Sequence, residues 1–154
     1  MQKRIRKKQE EGINSFMVLP LFFGHSAAIY EYIPQRVMEM QKTWPELQVR
    51  CAPCMVDVTQ PDDTLVAEVL ADLVRKKRDE EGLVNPAVTL VDHGTPRKFV
   101  NDVRNFLGVQ LQELLQEDFG AVEVSSMERR EEEEYAYNEP LLENLLGSSG
   151  FEKE

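Results

Sequence analysis

The sequence predicts an α/β fold in which a parallel sheet carries helices on both faces. Four short apolar segments, rich in β-branched residues, alternate with longer segments whose apolar residues recur every three or four positions. This β-α-β-α-β-α-β-α order indicates parallel strands joined by right-handed helical crossovers. A length of 154 residues and a hydrophobic content of 42% suit one modest domain with a real core.

The charge and the length of the apolar runs narrow the classes of partner. The formal net charge is −10, which argues against a nucleic-acid partner because phosphate contacts need a basic face. No apolar run approaches the roughly 20 residues that span a bilayer, and no cleavable secretory signal follows the basic start. We therefore expect a cytoplasmic protein without membrane or nucleic-acid partners, or a plastid stromal protein in a eukaryote.

A charged extension and a first strand open the chain. Residues 1–14 are charged, so we expect a peripheral N-terminal extension. The apolar run over residues 16–23 predicts a strand. Pro20 within it favours an edge position or a bulge, because proline has no N–H to donate to a ladder. Gly24-His25-Ser26 then supplies the turn.

A helix and a second strand follow this turn. Apolar residues at helical spacing predict a helix that reaches about Lys42. Pro34 lies within that apolar stripe, so the regular helix is expected to begin near Ile33, after an irregular approach. Residues 47–51 predict the second strand, and residues 52–61 predict a loop.

The next helix has recognisable signals at both ends. Asp62 or Asp63 is expected to cap it, and its apolar side runs over residues 65–74. Gly82 is expected to end it, because glycine readily adopts the left-handed conformation that closes many helices. Residues 87–91 then form an apolar, β-branched run that predicts a buried third strand.

The third strand leads into a polar turn and a long helix. Residues 92–96 contain glycine and proline and cannot continue the strand. Thr95 is expected to cap the helix that follows, which reaches about Leu114. Residues 121–124 predict the fourth strand.

The chain closes with a short helix and a tail. Asn138 is expected to cap this helix, with Pro140 just inside it and four leucines along residues 141–146. Residues 147–154 predict a tail, so the expected domain covers residues 15–146.

The end of the third strand carries the strongest candidate for chemistry. In parallel α/β sheets, ligands bind at the carboxyl ends of the strands, and His93 lies at such an end. An imidazole there binds a metal or acts as a general base near pH 7, or it is a turn histidine bonded to the backbone. Residues 125–130 follow the fourth strand at the same edge. Arg129 or Arg130 in that segment either holds a carboxylate-rich ligand or belongs to an ordinary charged loop.

Two further motifs have both a functional and a structural interpretation. Gly24-His25-Ser26-Ala27-Ala28 resembles a nucleophile elbow, with Ser26 as the nucleophile of a small serine hydrolase, or it is a small-residue turn. Cys51-Ala52-Pro53-Cys54 has the spacing of a redox dithiol. No helix signal follows it to lower the pKa of the first thiol, which favours a structural pair in a reducing compartment.

Several segments resemble the class II tetrapyrrole chelatases, the sirohydrochlorin cobalto- and ferrochelatase group. LVDHGTPRKFVNDVRNFL is similar to their first strand and helix, where the strand ends in an H-G-S/T turn. LPLFFGHSAAIYEYIPQRV and LQVRCAPCMV resemble a later strand of the same unit and the strand after it. SMERREEEEYAYNEPLLENLL resembles long, duplicated members associated with cobalamin biosynthesis, and the resemblance covers about residues 16–146.

The resemblance implies a chelatase-like three-layer α/β sandwich of two similar halves, which take the tetrapyrrole between them. Residues 15–84 correspond to the back part of one half, and residues 85–146 correspond to the front part of the next. A homodimer or a partner chain is then expected to complete the second half, because the leading strands of one half have no counterpart here.

The resemblance also implies roles for individual residues. His93 matches the family histidine that binds the incoming metal and helps to remove pyrrole protons. The second family histidine aligns with Ala28, and His25, three residues away, is the other candidate metal ligand. The implied substrate-binding residues are Gly24, Ser26, Glu31, Gly94, Thr95, Arg129 and Arg130. The metal, Co²⁺ or Fe²⁺, is a substrate, and no organic cofactor is implied.

We therefore expect a lyase that inserts cobalt or iron into a sirohydrochlorin-type tetrapyrrole in cobalamin or siroheme biosynthesis. One alternative is a non-catalytic tetrapyrrole-binding or assembly half that needs a partner chain, and full activity of the purified chain would argue against it. The other is a serine hydrolase, which covalent labelling of Ser26 by a fluorophosphonate would support.

Overall fold

The computed structural model describes residues 1–148 and 151 and divides the chain into two compact units, Met1–Met55 and Val56–Glu154. In chain order the main elements are α1 Gln2–Glu10, β1 Ser15–Val18, α2 Ile33–Gln41, β2 Gln48–Cys51, α3 Leu65–Glu81, β3 Val88–Asp92, α4 Lys98–Leu115, β4 Val122–Ser126 and α5 Leu142–Leu146. A π-helical turn, Ala28–Tyr32, precedes α2, and a 3₁₀ helix, Glu133–Asn138, precedes α5. None of the helices in this part of the chain is long and apolar enough to cross a lipid bilayer.

The four strands form two parallel sheets of two strands each. In the first unit β1 pairs with β2, and Ser15 lies opposite Gln48. In the second unit β3 pairs with β4, and Asp92 lies opposite Ser126. The predicted α/β character with parallel strand pairing is confirmed in this form. The expectation of one continuous sheet is wrong for the described residues, because β2 and β3 do not pair with each other.

The core of the first unit lies between its two helices and its sheet. Ile5 of α1, Met40 of α2 and Leu47 are buried together, and Phe16 and Val49 of the sheet pack against them. The charged N-terminal segment is thus a helix that contributes one apolar side chain to the core.

β1 is shorter than the apolar run that predicts it. The carbonyl of Val18 accepts the last hydrogen bond of the ladder, from the amide of Ala52 at 2.9 Å. Pro20 cannot donate to a ladder, so the chain leaves the sheet there. Leu21 beyond it is 87% exposed, and the second half of the predicted strand is therefore not part of the sheet.

Pro34 sets the start of α2 as predicted. α2 begins at Ile33, with Pro34 in its first turn. The preceding residues, Ala28–Tyr32, form the π-helical turn, so the apolar stripe is continuous while the hydrogen bonding is not. A proline ring clashes with the carbonyl four residues earlier, which accounts for the change of helix type at this point.

α3 and α4 pack together over the sheet of the second unit. Ala71 of α3 and Leu111 and Leu115 of α4 form a buried cluster, and the partly buried Val88 and Leu90 of β3 pack against it. β3 is therefore half-buried rather than fully buried as predicted, because a sheet of two strands has little cover. Gly82 ends α3 in the left-handed conformation, as predicted.

The close approach of α4 to β4 depends on one glycine. Gly108 is buried in the middle of α4, and a Cβ atom added to it would overlap Cγ1 of Val124. A β-branched valine has little freedom to move aside. The helix therefore lies against the strand at a distance that only glycine permits.

The predicted cap of α3 is wrong. α3 begins at Leu65 after Thr64, so neither Asp62 nor Asp63 occupies the cap position. Oδ1 of Asp63 accepts only a long hydrogen bond, 3.4 Å, from the amide of Leu65.

Two further predicted helix caps are wrong. α4 begins at Lys98, and the hydroxyl of Thr95 accepts a hydrogen bond from the amide of Arg97 at 3.1 Å instead of capping the helix. α5 begins at Leu142, and Asn138 ends the 3₁₀ helix before it. The side chain of Asn138 binds the backbone of Thr95, so tertiary contacts have replaced both local caps.

Candidate functional site at the carboxyl edge of β3 and β4

His93 and Glu128 lie side by side where β3 and β4 end. His93 directly follows β3, and Glu128 follows β4 by two residues, so the parallel pairing brings both to one edge of the sheet. Nε2 of His93 lies 3.1 Å from Oε1 of Glu128. Their side chains are 76% and 70% exposed. The edge thus offers an imidazole nitrogen and a carboxylate oxygen to solvent, a distance apart that one metal ion or one proton can bridge.

The backbone holds this pair in register beyond the ends of the strands. The amide of Met127 donates to the carbonyl of Asp92 at 2.9 Å, and the amide of Glu128 donates to the carbonyl of His93 at 3.3 Å. These two bonds join the chain segments just beyond the last paired residues of β3 and β4, which limits the freedom of the backbone beneath the two side chains.

Gly94 is required by the turn in two ways. Its φ of +93° lies in a region that residues with a side chain rarely adopt. A Cβ atom added there would also overlap the carbonyl oxygen of Glu128. The amide of Gly94 donates to Oδ1 of Asp92 at 3.1 Å, which closes the turn just after His93.

A buried arginine lies beneath this edge. Arg104 of α4 is 4% exposed, and its Nη1 donates to the hydroxyl of Ser126. That hydroxyl donates in turn to Oδ1 of Asp92 at 2.5 Å, and Nη1 lies 3.8 Å from the same carboxylate oxygen. Burial lowers the pKa of Arg104, and the nearby Asp92 opposes that change by favouring the charged form.

The 3₁₀ helix clamps the other end of the turn. Oδ1 of the fully buried Asn138 accepts from the amide of Thr95 at 3.0 Å, and Nδ2 donates to the carbonyl of Thr95 at 2.9 Å. The hydroxyl of Tyr137 donates to the same carbonyl at 3.0 Å. Burial, with additional effects of Tyr135 and Glu134, raises the pKa of the Tyr137 phenol.

The two arginines that the sequence analysis selects both belong to this edge, and each already has a partner. Nε of Arg129 lies 2.8 Å from Oε1 of Glu139. Nη1 of Arg130 donates to the hydroxyl of Tyr135 at 3.1 Å, and its guanidinium lies 5.2 Å from the centre of that ring. Arg130 is exposed and retains further donors for an anion.

The remaining candidate residues lie in the first unit. The ring of His25 stacks on Tyr30, with centroids 4.1 Å apart and an angle of 7° between the planes. The buried hydroxyl of Ser26 makes no hydrogen bond within the described part of the chain, so no base activates it in this arrangement. Gly24 is half-buried and Glu31 is exposed.

At the edge beside His93, two side chains could bind a metal ion, the imidazole of His93 and the carboxylate of Glu128. Within residues 1–148 and 151, no group of three or more histidine, cysteine, aspartate or glutamate side chains is placed to hold a metal ion. Cys51 is an exposed thiol, and the Sγ of the buried Cys54 lies 3.7 Å from the hydroxyl of Tyr30. A metal at His93 and Glu128 would therefore need further donors from solvent or substrate.

The sequence analysis missed the partners of His93. Glu128 lies inside the segment 125–130 that was assigned to this edge, but the register that sets it beside His93 has no sequence signal. Three other residues of the site are polar but buried, and no hydropathy pattern in the sequence indicates their burial: Arg104, Ser126 and Asn138. A parallel alignment of Asp92 with Ser126 is the one observation that brings them together.

The site therefore consists of a solvent-exposed imidazole–carboxylate pair on a hydrogen-bonded turn, anchored by a buried arginine. Comparisons with protein-family models, with curated proteins and with solved structures find no match for this chain.

Proposed function

We propose that this protein inserts a divalent metal ion, cobalt or iron, into a sirohydrochlorin-type tetrapyrrole, within a chelatase-like three-layer fold. The observation that supports it most is the His93–Glu128 pair, exposed at the carboxyl edge of two parallel strands. Imidazole is a good ligand for cobalt and iron, and carboxylate is a common second donor. The resemblance of the His93-Gly94-Thr95 turn to the chelatase H-G-S/T turn points the same way.

Two protein ligands suit an ion that must be given away. A closed set of four protein donors holds a metal as a structural element, whereas an incomplete set leaves positions for water and substrate. The metal would bind Nε2 of His93 and the carboxylate of Glu128, and the pyrrole nitrogens of the macrocycle would replace its remaining ligands one after another.

The same two side chains would then take up the protons of the reaction. Metal insertion breaks two pyrrole N–H bonds and forms metal–nitrogen bonds, so two protons leave and no electrons are transferred. As the ion moves into the macrocycle, the lone pairs of His93 and Glu128 become free to accept those protons. In this proposal Gly94 and Thr95 contact the substrate from the turn, and Arg129 and Arg130 meet its carboxylates.

The residues of the first unit have a separate place in this proposal. His25 is a second candidate metal ligand, and Gly24, Ser26 and Glu31 are candidate substrate contacts. Replacing His25 by alanine tests its role by itself, because metal binding weakens only if His25 is one of the ligands.

The test is anaerobic chelation of sirohydrochlorin by the purified full-length chain with Co²⁺ or Fe²⁺. His93→Ala should lower the rate by about 10²–10⁴-fold, and Glu128→Gln should lower it in the same direction, since each removes a ligand and a proton acceptor. Lys76→Ala on the exposed face of α3 is the surface control. A folded wild-type chain that inserts neither ion would overturn the proposal.

A second candidate function is a binding or assembly half that needs a partner chain or a second copy. It is favoured by the small sheets, since a pair of strands is marginal in isolation, and by the exposure of Leu19 and Leu21 next to β1. Light scattering after size exclusion measures the mass of the purified chain, with Leu21→Asp beside it. A monomer in both samples would argue against this candidate, and a dimer that Leu21→Asp dissociates would favour it.

A further inference from the structure

We infer that Arg104 is a positioning residue, which fixes the geometry of the His93–Glu128 pair from beneath without contacting the substrate. The inference rests on the proposed metal-insertion function, because it assigns the pair its role. The observations behind it are the hydrogen bonds that one guanidinium makes to Ser126 at the end of β4 and to the 3₁₀ helix, and the link from Ser126 to Asp92 at the end of β3.

Arg104 is linked through side chains to the ends of both strands. Asp92 and Ser126 are the last residues of β3 and β4, and they lie opposite each other. The hydroxyl of Ser126 accepts from Arg104 and donates to Asp92, so the three side chains form a continuous chain of hydrogen bonds. His93 follows directly after Asp92, and Glu128 comes two residues after Ser126. A shift of either strand end is therefore passed on to the pair.

Arg104 also binds the segment on the far side of the turn. Nη1 of Arg104 also donates to the carbonyl of Asn138 at 3.2 Å, and Nη2 donates to the carbonyl of Tyr137 at 3.3 Å. The side chains of Asn138 and Tyr137 hold both backbone groups of Thr95. Arg104 thus anchors the residues on both sides of His93-Gly94.

The shape of the guanidinium group explains why this position needs an arginine. The planar guanidinium presents several donors in fixed directions, which lets it serve a hydroxyl and two carbonyl groups at once. A lysine ammonium carries the same charge on a single point and cannot reach all three. An uncharged replacement would leave the hydroxyl of Ser126 and two carbonyls without this donor, and it would remove the positive charge 3.8 Å from the carboxylate of Asp92. Both losses are costly where water is excluded.

The test compares Arg104→Lys with Arg75→Lys as a matched control. Arg75 is a partly buried arginine of the second unit, and it binds the carbonyl of Leu114 and the carboxylate of Asp118, neither of which belongs to the turn. The chain has two histidines, so nuclear magnetic resonance signals of the rings can be assigned with His25→Ala. Co²⁺ titration followed by visible absorption supplies a second measurement on the same samples.

Arg104→Lys is expected to move the ring signals of His93 towards those of Glu128→Gln, in which the pair is broken, and to leave the signals of His25 in place. It should weaken Co²⁺ binding by about 10–100-fold, the effect usual for residues that orient a metal ligand. Arg75→Lys should do neither. A folded Arg104→Lys protein with unchanged His93 signals and unchanged Co²⁺ affinity would overturn the inference.

Ser126→Ala decides the matter if Arg104→Lys does not fold. It removes only the hydroxyl between Arg104 and Asp92, so the same shifts are expected with smaller amplitude, and their absence counts against the inference. The proposed function fails separately. A wild-type chain that inserts no metal but shows the expected His93 shifts retains the positioning role and loses the reaction.

Discussion

Nε2 of His93 lies 3.1 Å from Oε1 of Glu128, and the two residues come from different strands of one parallel pair. Thirty-five positions of sequence separate them, and the hydrogen bonds between 127–128 and 92–93 bring them together. The turn, the buried arginine and the 3₁₀ helix all bind the backbone or the side chains adjacent to this pair.

Gly94→Ala is expected to destabilise the protein more than Gly82→Ala does. Both glycines have positive φ, so each substitution costs about 1–2 kcal/mol for the left-handed backbone. A Cβ atom at Gly82 enters open space, whereas one at Gly94 overlaps the carbonyl of Glu128 and adds about 1–3 kcal/mol of overpacking. Urea unfolding of the two variants measures the difference. Equal losses of stability would show that the turn tolerates a shift of Glu128.

Gly108→Ala is expected to lower stability even though alanine favours helices by about 1 kcal/mol over glycine. The added methyl group overlaps Cγ1 of Val124, so α4 has to move away from β4. The double variant Gly108→Ala with Val124→Ala removes the overlap and should recover much of the loss. A double-mutant cycle measured by thermal unfolding gives the interaction free energy, and simple additivity would contradict the proposed contact.

Tyr137→Phe is expected to change the dependence of stability on alkaline pH. Burial raises the pKa of this phenol in the folded chain above its ordinary value of about 10. The unfolded state then loses the proton first, so the stability that this group contributes is present below about pH 10 and is lost as the pH rises through the folded-state pKa. Urea unfolding from pH 8 to 11.5 should show a steeper decline for the wild type than for Tyr137→Phe.

Tyr135→Phe is the comparison variant for this prediction, and it should change the alkaline effect less than Tyr137→Phe does, because burial raises the pKa of Tyr137 more than the neighbouring Tyr135 does. It removes a phenol two residues away that binds Arg130 rather than the backbone of Thr95. If the wild type and Tyr137→Phe gave parallel curves of stability against pH, and only Tyr135→Phe differed, the alkaline effect would belong to Tyr135 and the prediction would be wrong.

The sequence was sufficient for the β3–turn–α4 unit and insufficient for its surroundings. A β-branched run, a Gly/Pro turn and an apolar stripe are local signals, and they place His93 correctly after a strand. β4 extends to Ser126, two residues beyond its predicted end, because Ser125 and Ser126 are buried with hydrogen-bonded hydroxyls and do not look apolar. Burial of satisfied polar groups leaves no trace in hydropathy.

Local sequence signals also led to two wrong predictions, a helix cap at Asn138 and a strand over residues 16–23. Asn138 has the composition of a helix cap, but its amide serves Thr95, forty-three positions earlier. The run over residues 16–23 is uniformly apolar, yet Pro20 ends the strand because it lacks an N–H group. For Asn138 the deciding partner, Thr95, lies too far away in the sequence for local patterns to reveal it. For Pro20 the deciding feature is a missing N–H group, which a hydropathy pattern does not register.

The hydrogen bonds that hold Met127 and Glu128 beside Asp92 and His93 run entirely between main-chain atoms. They do not depend on which side chain position 128 carries. The backbone therefore sets where a ligand atom at this position lies, and the side chain sets which kind of atom it is. A histidine in place of Glu128 would present two imidazoles at the same edge, and a cysteine would present a softer sulfur ligand. In the proposed metal-binding role, single substitutions at position 128 would therefore change which ion this edge prefers, while the backbone that carries it stays as it is.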